Sequence, residues 1–238
     1  MGSYKQFVTA IIERARTRTS SYVCVANVHM LSEAYESRHF RKVVNSAFLV
    51  TPDGMPIAKA FKSLYNFKQD RVDGMSLLPN LVREAEAKNL SVFFYGGTQE
   101  ILEKTISYLG EKAPNLKICG SFSPPFRPLT DHEMNDTADM INKSGANLVF
   151  VVLGCPKQEI WMYNMKGKVF ATMIGVGGAL PVFIGSQKRA PIWMQRNSLE
   201  WLFRLNQEPK RLFKRYFKTN SQFLYLVAKE RLKRFPFK

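Results

Sequence analysis

Thr51-Pro52-Asp53-Gly54 sets a carboxylate directly after the short apolar run AFLV (47–50). An x-Pro-Asp-Gly sequence is a turn signature in its own right. At the carboxyl end of a strand the same carboxylate would face a ligand cleft and could take the proton of an attacking hydroxyl. Such a general base typically contributes ~10²–10⁴-fold in rate. A second group, Gly154-Cys155-Pro156-Lys157-Gln158-Glu159, follows the run NLVFVVLG (147–154). Gln158 carries the donors and acceptors that a sugar or base edge requires. Pro156 suits a first helical turn and Glu159 a helix N-terminus, so a well-capped helix start accounts for the spacing equally well. His29, His39 and His132 lack metal-ligand spacing, His29 reading as a cap or surface residue. Cys24, Cys119 and Cys155 form no CxxC pair. Neither a structural zinc site nor a disulfide framework is expected, and a reducing cytoplasm is the default. No Asp-x-Asp occurs, so a diphosphate would be neutralised by Arg, Lys and helix dipoles.

These groups need elements to position them. YVCVANV (22–28), AFLV (47–50), SVFFYGG (91–97), NLKICG (115–120), NLVFVVLG (147–154) and VFATMIGVGG (169–178) read as strands. Amphipathic stretches at 77–89, 98–112 and 130–145 lie between several of them. The alternation predicts an α/β fold, with a Rossmann-like, largely parallel sheet covered by helices on both faces. Three strands run into glycine, at Gly96-Gly97, at Gly154 and at Gly177-Gly178. Any one of these could be an ordinary βα turn. Three together point to a nucleotide or sugar-phosphate cleft beyond the strand ends. None is a GxGxxG followed by an acidic residue about 20 positions on, so no dinucleotide cofactor is expected.

Of 238 residues, 45% are hydrophobic and 13% aromatic, which excludes disorder as the main state. The net charge is +16, and residues 187–238 hold 14 Lys and Arg against 3 Glu, or +11 of that total. The chain therefore divides into a nearly balanced body (1–186) and a basic appendage (187–238). From Pro191 a helix is predicted over IWMQRNSLEWLFRL, with Glu200 and Arg204 as an i, i+4 pair. A further helix starts at Pro209. Arg211, Lys214, Arg215 and Lys218 share one of its faces, and Leu212, Phe213, Tyr216 and Phe217 the other. QFLYLVAKERLKRF (222–235) repeats the composition. A basic stripe beside an aromatic face suits a helix in an anionic membrane interface, and docking of the apolar face on the body is the alternative. There is no signal-peptide pattern and no apolar run long enough to span a bilayer, so membrane contact is expected to be peripheral.

GCPKQEIWM (154–162), GVGGALPVFIGSQKRAP (175–191) and WMQRNSLEWLFRLNQEPKRLFKRYF (193–217) resemble the signature of the WecG/TagA/CpsF glycosyltransferases. The resemblance runs from Tyr22 to Phe217. It implies an inverting transfer from a UDP-sugar to a polyprenyl-diphosphate-linked glycan at the cytoplasmic membrane face, in cell-surface polysaccharide synthesis. No tightly bound metal or other cofactor is implied. Asp53 falls on the family's Asp-Gly motif and becomes the expected base. Asn27, Arg71, Gly96, Gly97, Gly154, Lys157, Gln158, Gly175, Gly177 and Gly178 become the expected donor-binding set. Lys188, Arg189, Arg204, Arg211, Lys214, Arg215 and Lys218 would hold a diphosphate or the membrane. Val25, Ser76 and Pro181 stand where the family often has Thr, Asp and Asp, so the sugar's identity is not carried over. A nucleic-acid-binding protein would explain the charge but not the glycine-ended strands, and nucleic acid is not an expected partner. A soluble nucleotide-sugar enzyme would leave the basic tail without a role. Homo-oligomerisation is left open.

Overall fold

The runs of Val, Phe and Ile form six strands because their side chains can be buried on both faces of a sheet. In the computed structural model, which describes residues 2–234, these are β1 (Ser21–Ala26), β2 (Leu49–Pro52), β3 (Ser91–Gly96), β4 (Lys117–Phe122), β5 (Leu148–Val152) and β6 (Thr172–Gly175). All pairs are parallel, in the order β2-β1-β6-β5-β3-β4. Each of the six expected strands is present.

Alternation along the strands divides the core into two layers. Val23, Val25, Phe94, Phe150 and Ile174 face α1 (Tyr4–Arg16), α5 (Gly74–Ala87), α6 (Gln99–Lys112) and α9 (Ala179–Phe183). Tyr22, Cys24, Tyr95, Val151 and Met173 face α2 (Val28–Glu36), α3 (Arg38–Asn45), α7 (Asp131–Lys143) and α8 (Lys157–Met165). The helix starts follow local chemistry. Asn27 caps α2 by accepting from the Met30 N–H (3.1 Å), and Asp73 caps α5 by accepting from Ser76 (3.1 Å). A further helix, α4 (Met55–Tyr65), follows β2.

The C-terminal segment departs from expectation in two ways. The single helix predicted from Pro191 is broken into α10 (Ile192–Arg196) and α11 (Glu200–Gln207) by Ser198, whose φ is +66°. Glu200 pairs not with Arg204 but with Arg71 of the body (2.6 Å), whose guanidinium would otherwise lie buried without that partner. α12 (Pro209–Arg234) is one continuous helix packed on α2, α4 and α11. It has three faces rather than two. Leu212, Thr219 and Phe223 are buried, while Phe213 and Phe217 are exposed. The basic residues also separate, because the helix lies against the body: Arg211 and Arg215 turn to a cavity, whereas Lys218 bonds Glu36 of α2 (2.8 Å). Phe235 of the predicted 222–235 stretch lies outside the described residues. Among the described residues no helix is long and apolar enough to cross a membrane.

Candidate active site

In a parallel sheet the strand carboxyl ends open on one side, and helix N-termini gather there. Here the ends of β1, β2, β5 and β6 surround a cavity of about 450 Å³. The body supplies Asn27, Asp53, Gly154, Gln158 and the backbone from Gly175 to Gly178. α11 and α12 supply Glu200, Arg204, Arg211 and Arg215 from the other side. The cavity therefore lies between the body and the basic segment, and neither encloses it alone.

Asp53 follows β2 directly. Its N–H donates to the Ala26 carbonyl at the end of β1 (2.8 Å), and Gly54, at φ +93°, turns the chain into α4. A residue with a Cβ would be strained at that φ. The Asp53 main chain is thus held on both sides. Burial, with Asp73 and Glu200 nearby, pushes its pKa up to about 7, against the opposing pull of Arg71 and Arg204. A carboxyl poised near neutrality suits proton abstraction at physiological pH.

An ion-pair network surrounds it. Arg71 reaches Glu200 at 2.6 Å and Asp73 at 3.3 Å, with only 13% of its side chain exposed. Arg189 donates to Asp73 (3.1 Å) and to the Ser76 hydroxyl (2.8 Å). These bonds tie α11 and the segment before α10 to the start of α5. Arg204 and Arg215 line the cavity and pair with no carboxylate among the described residues, and the Arg215 Nε is buried without a partner. Arg211 is engaged by Glu208 (2.6 Å). Free guanidinium groups facing a cavity are what an anionic diphosphate would require. His29 also lines the wall, rather than serving as a surface residue. Burial and Arg215 push its pKa down, against the effect of Glu33.

The structure brings together Asn27, Asp53, Gly154, Gln158, Gly175, Gly177, Gly178, Arg204, Arg211 and Arg215. It sets others apart. β3 lies beyond β5 in the sheet, so Gly96 and Gly97 are off the cavity wall. A Cβ at Gly96 would come within 2.8 Å of the Val152 carbonyl, so that glycine serves close strand packing. Arg71 acts behind the wall through Glu200 and Asp73. Arg189 likewise bonds Asp73 and Ser76. Lys157, Lys188, Lys214 and Lys218 are exposed and away from the wall. Asp73 and Glu200, which raise the pKa of Asp53, are not among the expected site residues. Asp73, just ahead of a helix, carried the signal of a cap. Glu200 carried none that pointed to Arg71, 129 residues away.

A strand-end crevice with a carboxyl on one wall and arginines on the other has the layout of an α/β enzyme site. The sequence profile of the Glycosyl transferase WecG/TagA/CpsF family matches residues 1–236. The chain belongs to that family and is a glycosyltransferase. It is similar to the N-acetylglucosaminyldiphosphoundecaprenol N-acetyl-beta-D-mannosaminyltransferase of Bacillus spizizenii, with 32% identity over 80% of this chain and 73% of the relative. The enzymes of the same name from Bacillus subtilis and Staphylococcus aureus are 30% and 28% identical, over 91% and 89% of this chain and 83% and 81% of theirs.

Two outcomes follow from the charge arrangement. The folded-state pKa of Asp53, about 7, lies above the unfolded value of ~4, so its contribution to stability is full below ~pH 4 and is lost as pH rises through about 7. Asp53→Asn should therefore melt higher than the wild type at pH 8, with the difference vanishing toward pH 4 in thermal scans. Arg71→Ala leaves Asp73 and Glu200 without their shared partner, at a cost of about 3 kcal/mol. Limited trypsinolysis should then cut within 187–207 sooner than in the wild type, and an unchanged cleavage pattern would remove Arg71 as the tie.

Proposed function

We propose that this chain transfers a sugar from a UDP-sugar, with inversion at the anomeric carbon, to a polyprenyl-diphosphate-linked glycan. The reaction takes place at the cytoplasmic face of a membrane. The names of the relatives make undecaprenyl-diphosphate-linked N-acetylglucosamine the first acceptor to test and an N-acetylmannosaminyl group the first sugar. The observation that carries the reading is Asp53, fixed at the cavity wall with its pKa near 7 and facing arginines across the cleft.

The acceptor hydroxyl attacks the anomeric carbon and Asp53 takes its proton. The bond from that carbon to the diphosphate oxygen breaks, and UDP leaves with the electron pair. Arg204, Arg211 and Arg215 line the cavity and would stabilise the negative charge growing on the leaving group, more in the transition state than in the ground state. Asn27, Gln158 and the glycine turns after β5 and β6 accommodate the rest of the donor.

Peripheral contact with the bilayer is supported by the outer side of the basic segment. Ile192 and Trp193 are 67% and 59% exposed, and Phe213 and Phe217 63% and 72%. Large apolar side chains left in water beside Lys210 and Lys214 suit an anionic interface, each basic residue adding ~1 kcal/mol near the surface. The acceptor's lipid would enter from that side, under α12.

With a panel of UDP-sugars and a polyprenyl-diphosphate-linked N-acetylglucosamine, Asp53→Asn should keep UDP binding and lower UDP release at least ~10²-fold. The wild-type rate should rise with pH through about 7. Asp73→Asn removes a charge that raises the Asp53 pKa, so its rising limb should move to lower pH. Unchanged turnover in Asp53→Asn would take Asp53 out of the mechanism. The double variant Phe213→Ser, Phe217→Ser should sediment less with anionic phosphatidylglycerol vesicles than the wild type, and equal sedimentation would count against the membrane face.

A further inference from the structure

Glu159 stands in the first turn of α8 with none of its surface exposed. Its Oε2 has no hydrogen-bond partner among the described residues. A buried carboxyl without an ion pair is costly, and an apolar residue of similar size would serve packing better. Packing therefore does not account for it. Its polar contacts do: Oε1 accepts from Nε2 of Gln158 at 2.8 Å, and the Cys155 thiol lies beside the carboxyl.

Gln158 is itself 5% exposed, and that remaining surface lines the cavity. Its Oε1 accepts from the N–H of Gly154 (3.1 Å). A free amide turns readily about its last torsion, exchanging oxygen for nitrogen. Here the exchange is opposed at both ends. A turned amide would set its oxygen against the Glu159 carboxyl and its NH₂ against the Gly154 N–H. The space around it is cut to size: a Cβ at Gly175 would lie 2.7 Å from Gln158 Nε2, and one at Gly177 3.1 Å from Oε1. An amide has two N–H donors and two acceptor lone pairs. One of each is used internally, which leaves one of each without a partner among the described residues, on a side chain that lines the cavity.

We infer that Glu159 is a positioning residue, which holds the Gln158 amide so that an N–H of fixed direction meets an uncharged hydrogen-bonding group of the sugar nucleotide. The inference rests on the donor-cleft reading given above. A neutral amide suits a hydroxyl, an acetamido oxygen or a base carbonyl, while the diphosphate is left to the arginines. Sugar and base share this chemistry, and the ligands used in the test separate them.

The test uses full-length protein. Glu159→Met removes the acceptor and keeps the bulk, Glu159→Gln keeps an acceptor without the charge, and Gly175→Ala presses on the amide from the other side. Binding of UMP, UDP and UDP-N-acetylglucosamine is measured by calorimetry, the Gln158 NH₂ pair is followed in ¹⁵N–¹H spectra, and melting reports folding. Glu159→Met should melt no lower than the wild type and yet bind at least about tenfold more weakly, as expected for about 1.4 kcal/mol from a misdirected buried donor. Gly175→Ala should weaken binding likewise, and Glu159→Gln should stay near the wild type. Glu159→Met combined with Gln158→Met should lose no more than either change alone. A loss already present with UMP assigns the base, and one seen only with UDP-N-acetylglucosamine assigns the sugar. Wild-type affinity in Glu159→Met, or additive losses in the double variant, would overturn the inference. A wild type that binds none of the three nucleotides would sink the donor reading. The spectrum would then decide the role of Glu159: a shifted, exchange-protected Gln158 NH₂ pair that collapses in Glu159→Met upholds it, and a freely exchanging pair in the wild type overturns it.

Discussion

A carboxyl held near neutrality, set beside two other carboxyls and largely out of water, is the constraint on which this site is organised. Asp53 cannot move away, because its N–H is bonded to the end of β1 and Gly54 turns the chain at once into α4. Asp73 and Glu200 raise its pKa, and Arg71 and Arg204 limit the rise. Two of these four neighbours, Glu200 and Arg204, belong to the basic C-terminal segment. The electrostatics of this carboxyl are therefore completed by a part of the chain outside the sheet. The Arg71–Glu200 and Arg189–Asp73 pairs that place the segment are the same charges that surround Asp53.

The two walls of the cavity divide the chemistry. The sheet contributes carboxyl ends, backbone and a neutral amide, none of which carries positive charge. The C-terminal helices contribute the guanidinium groups. A diphosphate bound there would meet its positive charge on the C-terminal helices. The division also places the exposed aromatic residues of α12 on the helix that bears Arg211 and Arg215. Exposed aromatic side chains and two of the cavity arginines thus share one helix.

Much of this could be read in the sequence. Buried parallel strands need near-continuous apolar runs, so all six were visible, and the glycines that end β5 and β6 do border the cavity. Asp53 was legible because it combines a turn signature with a strand end. Strand order was not legible: nothing local to SVFFYGG tells that β3 sits outside β5, which removes Gly96 and Gly97 from the cavity. Pairing across 129 residues was equally hidden, and Glu200 read as a helical partner of Arg204 until Arg71 was seen beside it. Helical spacing placed Arg211 and Arg215 on one face of α12 but could not tell that this face meets a cavity. Glu159 looked like a charge at a helix start, because sequence does not reveal that Gln158 and Glu159 are buried in the first turn of α8.

The state of the Asp53 carboxyl can be read without any substrate. Carbon-13 carboxyl NMR of the full chain, with the resonance assigned by its loss in Asp53→Asn, should show a midpoint near pH 7. A midpoint at the ordinary aspartate value of ~4 would contradict the account, because the surrounding charges would then not hold the proton that the proposed chemistry needs the carboxyl to exchange.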